Sequence, residues 1–220
     1  MRAFSFLRTY RLNQEALLQT PSAHSAARPA DLPRIRQIVN DVLTSARELL
    51  TEPEAKDLLA AADLSVVTTR VVGPVAGKAQ AAAAELGYPV ALKILSHTIT
   101  RESDVGGVRL NIGNAAELDE ACAAMLARVR ELRPDADVQG STVQRMVKLK
   151  HAHELIVDLV FGPIILFGQG GRAVEVLADI ALSLPPLNTP LALAQIERTR
   201  AAKLLHGYRD EPSADLDGIA

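Results

Sequence analysis

The spacing of apolar positions changes along this chain, and the changes outline its elements. Residues 1–20 mix apolar and basic positions as a short amphipathic helix does, ending at Thr20-Pro21. A Pro/Ser/Ala-rich stretch follows to about Pro33 and has the composition of a linker. Over residues 34–50, Ile35, Ile38, Val39, Val42, Ala46 and Leu49 recur at helical spacing. Thr51-Glu52-Pro53-Glu54 then starts a second helix, with a capping hydroxyl, a proline in the first turn and a glutamate three residues on. A strand is predicted over 66–72, an Ala-rich helix over 76–86 stopped by Gly87, and strands over 90–95 and 108–112. Asn114 caps a helix running through Leu132. Strands follow over 142–147, 154–157, 164–167 and 173–176, then a helix from about 189 to 205 and a polar tail. Helix–strand alternation followed by a run of strands and a helix predicts an α+β fold with two lobes.

Composition narrows the possibilities. The 220 residues are 48% hydrophobic and 23% charged with a formal net charge of −2, enough for a real core and without a basic face for nucleic acid. The single Cys122 forms no internal disulfide, which fits a reducing cytoplasm. No apolar stretch reads as a signal peptide or reaches membrane-spanning length, so no membrane partner is expected.

The strongest chemical signal is Phe167-Gly168-Gln169-Gly170-Gly171-Arg172, between an apolar strand and a segment carrying Glu175. Glycines at 168, 170 and 171 permit positive φ and close approach of N–H groups to a phosphate; they also serve a plain hairpin. Glu175 and Asp179 beside that turn are oxygen ligands of the kind that hold Mg²⁺ against a polyphosphate, or else ordinary surface charges. Lys93 interrupts the apolar strand 90–95, as a phosphate-gripping lysine or as an outward-facing edge residue. The polar loop 96–107 after it ends in a glycine pair and holds His97, a potential nucleophile or proton carrier in what is otherwise a solvated connection. His151 and His153 alternate on one strand face but find no third metal ligand at a convincing spacing, which favours a hairpin loop there.

Several segments in order resemble the ATP-grasp region of NDP-forming acyl-CoA (acetate–CoA) synthetases, most of all those fused to a lysine N-acetyltransferase domain. LTEPEAKDLLAAADLSVVTTRVV is similar to that family's opening helix and first strand, and GYPVALKILSHTITRESDVGGVRLNI to its lysine strand and phosphate loop. STVQRMV resembles the strand at adenine, HELIV the strand after it, and FGPIILFGQGGRAVEVLADIALSLPPLN the glycine turn and acidic strand. The resemblance implies a two-lobe ATP-grasp fold: 1–30 as a stub and linker resembling the end of a CoA-ligase domain, 31–141 as the first lobe, 142–220 as an incomplete second. It implies ATP or ADP with Mg²⁺ as cofactors. Lys93 would lie on the phosphates, Gln144, Met146 and Val147 at adenine, and Glu154 near the nucleotide. Gly168, Gly170 and Gly171 would lie at phosphate, with Glu175 and Asp179 at metal. The family reaction converts acyl-CoA, ADP and phosphate to acid, CoA and ATP through phosphohistidine relays, with a CoA-binding ligase subunit or domain as partner. Two departures stand out. Arg101 replaces the loop histidine that accepts phosphate in the family, and the hairpin between Val157 and Phe161 is shorter. With the chain stopping at Ala220, they point to a truncated protein, and the alternative to a ligase is an inactive remnant that binds nucleotide or associates with a homologue.

Overall fold

A computed structural model describes residues 2–18, 29–73, 77–147, 153–160, 162–171 and 174–219. The chain divides into two compact units, Ala26–Val147 and Met1–Ser25 together with Lys148–Ala220. Helix α1 (Arg2–Leu18) belongs to the latter, with Phe4, Phe6, Leu7 and Tyr10 exposed.

The unit Ala26–Val147 begins with α2 (Leu32–Thr44), whose start is fixed by Asp31 accepting the Arg34 N–H at 3.0 Å. It is shorter than the predicted 34–50 because Ser45 and the positive-φ Ala46 turn the chain away. Glu54 accepts the Thr51 N–H at 2.7 Å and so anchors α3 (Glu52–Ala61) as expected. The predicted strand 66–72 is only β1 (Thr69–Val72); residues 64–68 carry no regular structure. After α4 (Lys78–Leu86) come β2 (Val90–Ser96), β3 (Val108–Ile112), α5 (Ala115–Leu132) and β4 (Val138–Arg145). Position 76, where the Ala-rich helix was expected to begin, lies outside the described residues.

These four strands form an antiparallel sheet in the order β1-β4-β2-β3. Alternation along β2 sends Val90, Leu92 and Ile94 to one face, where Ala83, Leu118, Met125 and Val129 from α4 and α5 complete the core. The register pairs Lys93 with Thr142 and Ala91 with Gln144, putting these on the opposite face with Thr69 and Val71 of β1. A one-residue slip would exchange the faces, so core burial fixes which face carries Lys93. The sheet thus has the apolar core on one face and, on the other, a largely buried face bearing Thr142, Gln144 and Lys93.

In the other unit, β5 (Leu155–Val160), β6 (Ile164–Gln169) and β7 (Ile180–Ser183) form an antiparallel sheet in that order. The strand predicted over 173–176 is corrected: residues Val174–Leu177 form a short helix, α6, and Ala173 lies outside the described residues. Bonds from Val174 N–H to Gly171 C=O and from Ala178 N–H to Val174 C=O close a helical turn, and pairing with β6 falls to 180–183 instead. The single helix predicted over 189–205 is two, α7 (Thr189–Ile196) and α8 (Ala201–Leu205). The break occurs where Asp179 accepts the N–H groups of Arg200 and Ala201. Phe167, Ile196, Ala202 and Leu205 form the core. Buried Gln195 donates to the carbonyls of Ile165 and Ala181, both at 2.9 Å. The tail adds a short α9 (Leu216–Ile219).

Candidate functional site

On the polar face of the first sheet, Lys93 is three-quarters buried, with 26% of its side chain exposed, and it does not point freely into solvent. Its Nζ donates to Glu52 Oε1 at 2.9 Å. The same oxygen accepts Lys56 Nζ at 2.9 Å and Gln144 Nε2 at 2.7 Å. Lys56 also donates to Thr69 Oγ1 at 2.7 Å, and Gln144 lies beside Thr142. Two of the predicted residues, Lys93 and Gln144, therefore meet, and they meet through Glu52, which the sequence reading treated only as part of a helix start. Its position in the first turn of α3 aims its carboxylate at the β2–β4 face. Burial pushes the Glu52 carboxyl up, but the hydrogen bonds from Lys93, Lys56 and Gln144 outweigh it and hold it below its usual value.

The loop after β2 lies at the edge of this cluster. Its glycine pair does not present a free anion nest: Gly106 N–H donates to Ser103 C=O and Gly107 N–H to Glu102 C=O, closing a 3₁₀ turn over Glu102–Val105. Arg101 is exposed just ahead of that turn. Glu102 is half-buried; burial raises its carboxyl and the charge of Glu52 adds to this, against the pull of Lys93 and Lys56. A cavity of about 360 Å³ opens beside Glu52, Glu102 and His97. His97 Nδ1 lies 3.1 Å from Asp137 Oδ2, and Asp137 is itself held by Thr98 and Gln139. Past Arg145 the chain leaves the sheet: Met146 N–H donates to Pro89 C=O at 3.1 Å, and Val147 is exposed.

The second unit uses its predicted residues differently. Of the three glycines in the turn, only Gly171 takes positive φ, +85°. Gly168 and Gly170 are required by close approach within the sheet. A Cβ on Gly168 would lie 2.2 Å from Asp179 O, and one on Gly170 would lie 2.9 Å from the Leu155 carbonyl carbon. Gly171 sits against Glu154, whose Oε2 would be 2.3 Å from an added Cβ, so these two predicted nucleotide residues do come together. Asp179 has both oxygens engaged: Oδ1 accepts Arg200 N–H at 2.7 Å and Oδ2 accepts Ala201 N–H at 2.8 Å. Burial raises its carboxyl, but those amides and the Arg200 guanidinium outweigh it, leaving it below the usual carboxylate range. Glu175 lies in α6, its side chain outside the described residues. Of the histidine pair, His151 is outside them as well; His153 is largely buried, near Glu211. Among the described residues no three His, Cys, Asp or Glu side chains group as a metal shell. Nor is any helix among them long and apolar enough to cross a membrane.

Comparison with known proteins places this geometry in context. Residues 41–220 match the ATP-grasp domain family. The β subunit of an ADP-forming acetate–CoA ligase I from Pyrococcus furiosus is 35% identical over 191 residues, covering 85% of this chain and 81% of that protein. An ADP-forming 4-hydroxybutyrate–CoA ligase from Nitrosopumilus maritimus is 33% identical over 83% of this chain, which spans only 26% of that longer protein. Among solved structures, a Pyrococcus horikoshii protein matches with a TM-score of 0.78 at 34% identity, over 85% of this chain and 79% of that one. The acetyl-coenzyme A synthetase 1 of Ca. Korarchaeum cryptofilum, in complex with coenzyme A and Ca-AMPCP, matches with a TM-score of 0.77 at 31% identity, over 84% and 81%.

Proposed function

The chain belongs to the ATP-grasp domain family of ADP-forming acetate–CoA ligase β-subunit-like proteins, and from that premise we propose that it is the nucleotide-binding portion of an ADP-forming acyl-CoA ligase. The observation that carries the reading is the cluster on the β2–β4 face. A partly buried lysine stands there beside a buried amide, on the face of the sheet opposite the core. Lys93 neutralises nucleotide phosphates, and Gln144 with the Met146–Val147 backbone meets the base. Magnesium arrives with the nucleotide. Asp179 is committed to the start of α8 through both oxygens and is poorly placed to hold it. Preorganised charge of this kind is what phosphoryl transfer chiefly asks of a protein.

A guanidinium, protonated at neutral pH, is a far poorer nucleophile towards phosphorus than imidazole, so the exposed Arg101 leaves the chain without a histidine acceptor at that position of the resemblance. That favours a division of labour in which a CoA-binding subunit supplies the acyl chemistry and the relay. The same residue supports a second reading, nucleotide binding without turnover. The relation to acetyltransferase-bearing ligases, and the assignment of 1–30 as the end of a CoA-ligase domain, rest on the motifs alone.

Titration calorimetry with Mg·ATP and Mg·ADP tests the binding. Heat and thermal stabilisation are expected at millimolar nucleotide or below, and their absence would sink the reading. Lys93→Ala should weaken binding by about one to two orders of magnitude, and an unchanged affinity would put Lys93 outside the site. Formation of ATP from acyl-CoA, ADP and phosphate on adding a CoA-binding ligase subunit separates the ligase from the inactive binder.

A further inference from the structure

Glu52 concentrates three donors on one oxygen: Lys93 and Lys56 at 2.9 Å each and Gln144 at 2.7 Å. Its other oxygen, Oε2, is buried with no hydrogen-bond partner among the described residues. Lys93 is therefore already bound to an anion belonging to the chain itself. Any phosphate that takes Lys93 must share it with Glu52 or draw it away, and in either case stands close to that negative charge. Glu102, half-buried beside the same lysines, adds a second carboxyl to what an incoming anion meets.

We infer, on the basis of the nucleotide reading above, that Glu52 is a specificity-determining residue, an internal competitor for Lys93 that makes binding conditional on more than a phosphate group. A lone small anion has only its charge to set against the weakened ion pair and the repulsion from Glu52. A nucleotide adds base and ribose contacts that offset both, and such a repulsive element discriminates without new attractive contacts. Displacement stays reversible because Glu52 is not stranded when Lys93 leaves. Lys56 and Gln144 remain on it, and Lys56 is itself anchored on Thr69 at 2.7 Å.

The two neighbours of Lys93 should therefore act with opposite sign. Glu52→Gln removes the competing charge and frees two lysines, so ADP should bind about tenfold tighter and inorganic phosphate should become a detectable ligand. Lys56→Met leaves Glu52 more dependent on Lys93, so ADP should bind about tenfold more weakly. Calorimetric titration of wild type and both variants with ADP and with inorganic phosphate reads this directly, after a melting curve confirms that each is folded. Opposite signs support the competitor. Weakening in both variants is what a merely structural role of the cluster produces, and it overturns the proposal, as does an unchanged Glu52→Gln. Should Glu52→Gln fail to fold, Glu52→Asp keeps the charge but withdraws it from Lys93, and the same tightening, smaller, is expected. Lys93→Ala reports separately on the nucleotide reading. If ADP affinity ignores that change, the reading of Lys93 fails whatever Glu52 does.

Discussion

The β2–β4 face and the glycine turn of the second unit both look like ligand surfaces in the sequence, yet they are built from different kinds of contact. Around Lys93 the contacts run from side chain to side chain, partly buried, and each could be exchanged for a contact to a ligand. Around Gly168 and Asp179 they run to backbone: a carbonyl packed against a glycine, and a carboxylate on the amides that open α8. The first arrangement can rearrange without unfolding anything. The second cannot, because each partner is part of a strand or helix. Residue types that suggest chemistry thus carry different weight according to what they touch. An acid whose oxygens hold a helix start is poorly placed to become a metal ligand.

The largest effect should come from the turn. Gly168→Ala sets a methyl group 2.2 Å from the Asp179 carbonyl oxygen, where neither backbone can yield easily. A loss of about 3 kcal/mol in urea unfolding is expected. A loss below about 0.5 kcal/mol would mean that this glycine serves a ligand and not the packing of β6 on β7. Asp179→Ala comes next. It removes the acceptor for two amides and the partner of Arg200, at an expected cost of about 2 kcal/mol. Asp179→Asn puts the comparison itself at risk. It should reduce stability while leaving the magnesium dependence of nucleotide binding as it is. A steeper magnesium requirement at unchanged stability would return Asp179 to the metal.

Much of this is legible in the sequence. Periodicity located β2, β3, α5 and β6 because each buries one face and carries clear stop signals, such as Asn114 capping α5. What was missed depends on distant partners. Val174–Leu177 has the valines of a strand, but β6 pairs with the less conspicuous Ile-Ala-Leu-Ser at 180–183, and no local signal separates the two. The helix over 189–205 was split by Asp179, twenty-odd residues upstream, which periodicity within the helix does not register. At the site, Lys93 was visible as a charge interrupting an apolar strand, whereas Glu52 was hidden inside a helix-start motif that explained it sufficiently. The available signal was an acid and a lysine four apart, Glu52 and Lys56, on a helix leading into the first strand, a spacing that puts both on one face.

The smallest effect tests what holds Glu52 in place. Two residues from Glu52, Glu54 takes a bidentate pair from Arg47 at 2.9 and 2.7 Å and accepts the Thr51 N–H at 2.7 Å. The Arg47 hydrogen bonds lead in bringing its carboxyl down from 4.5 to about 2, against the opposing effect of burial. A depressed carboxyl stabilises the fold in its charged form, so this contribution is whole above about pH 4.5 and fades as the pH falls towards 2. With 31% of its side chain exposed, solvent screening reduces the pair to about 1 kcal/mol, the expected cost of Glu54→Gln at neutral pH. The gap between wild type and Glu54→Gln should close as acid protonates the wild-type residue, and a gap that persists to pH 2 would assign the loss to packing. Because α3 carries Glu52 to Lys93, hydrogen exchange should show its first turn losing protection in Glu54→Gln. If that loss leaves ADP affinity untouched, the side-chain contacts of Glu52, and not the anchoring of its helix, set the hold on Lys93.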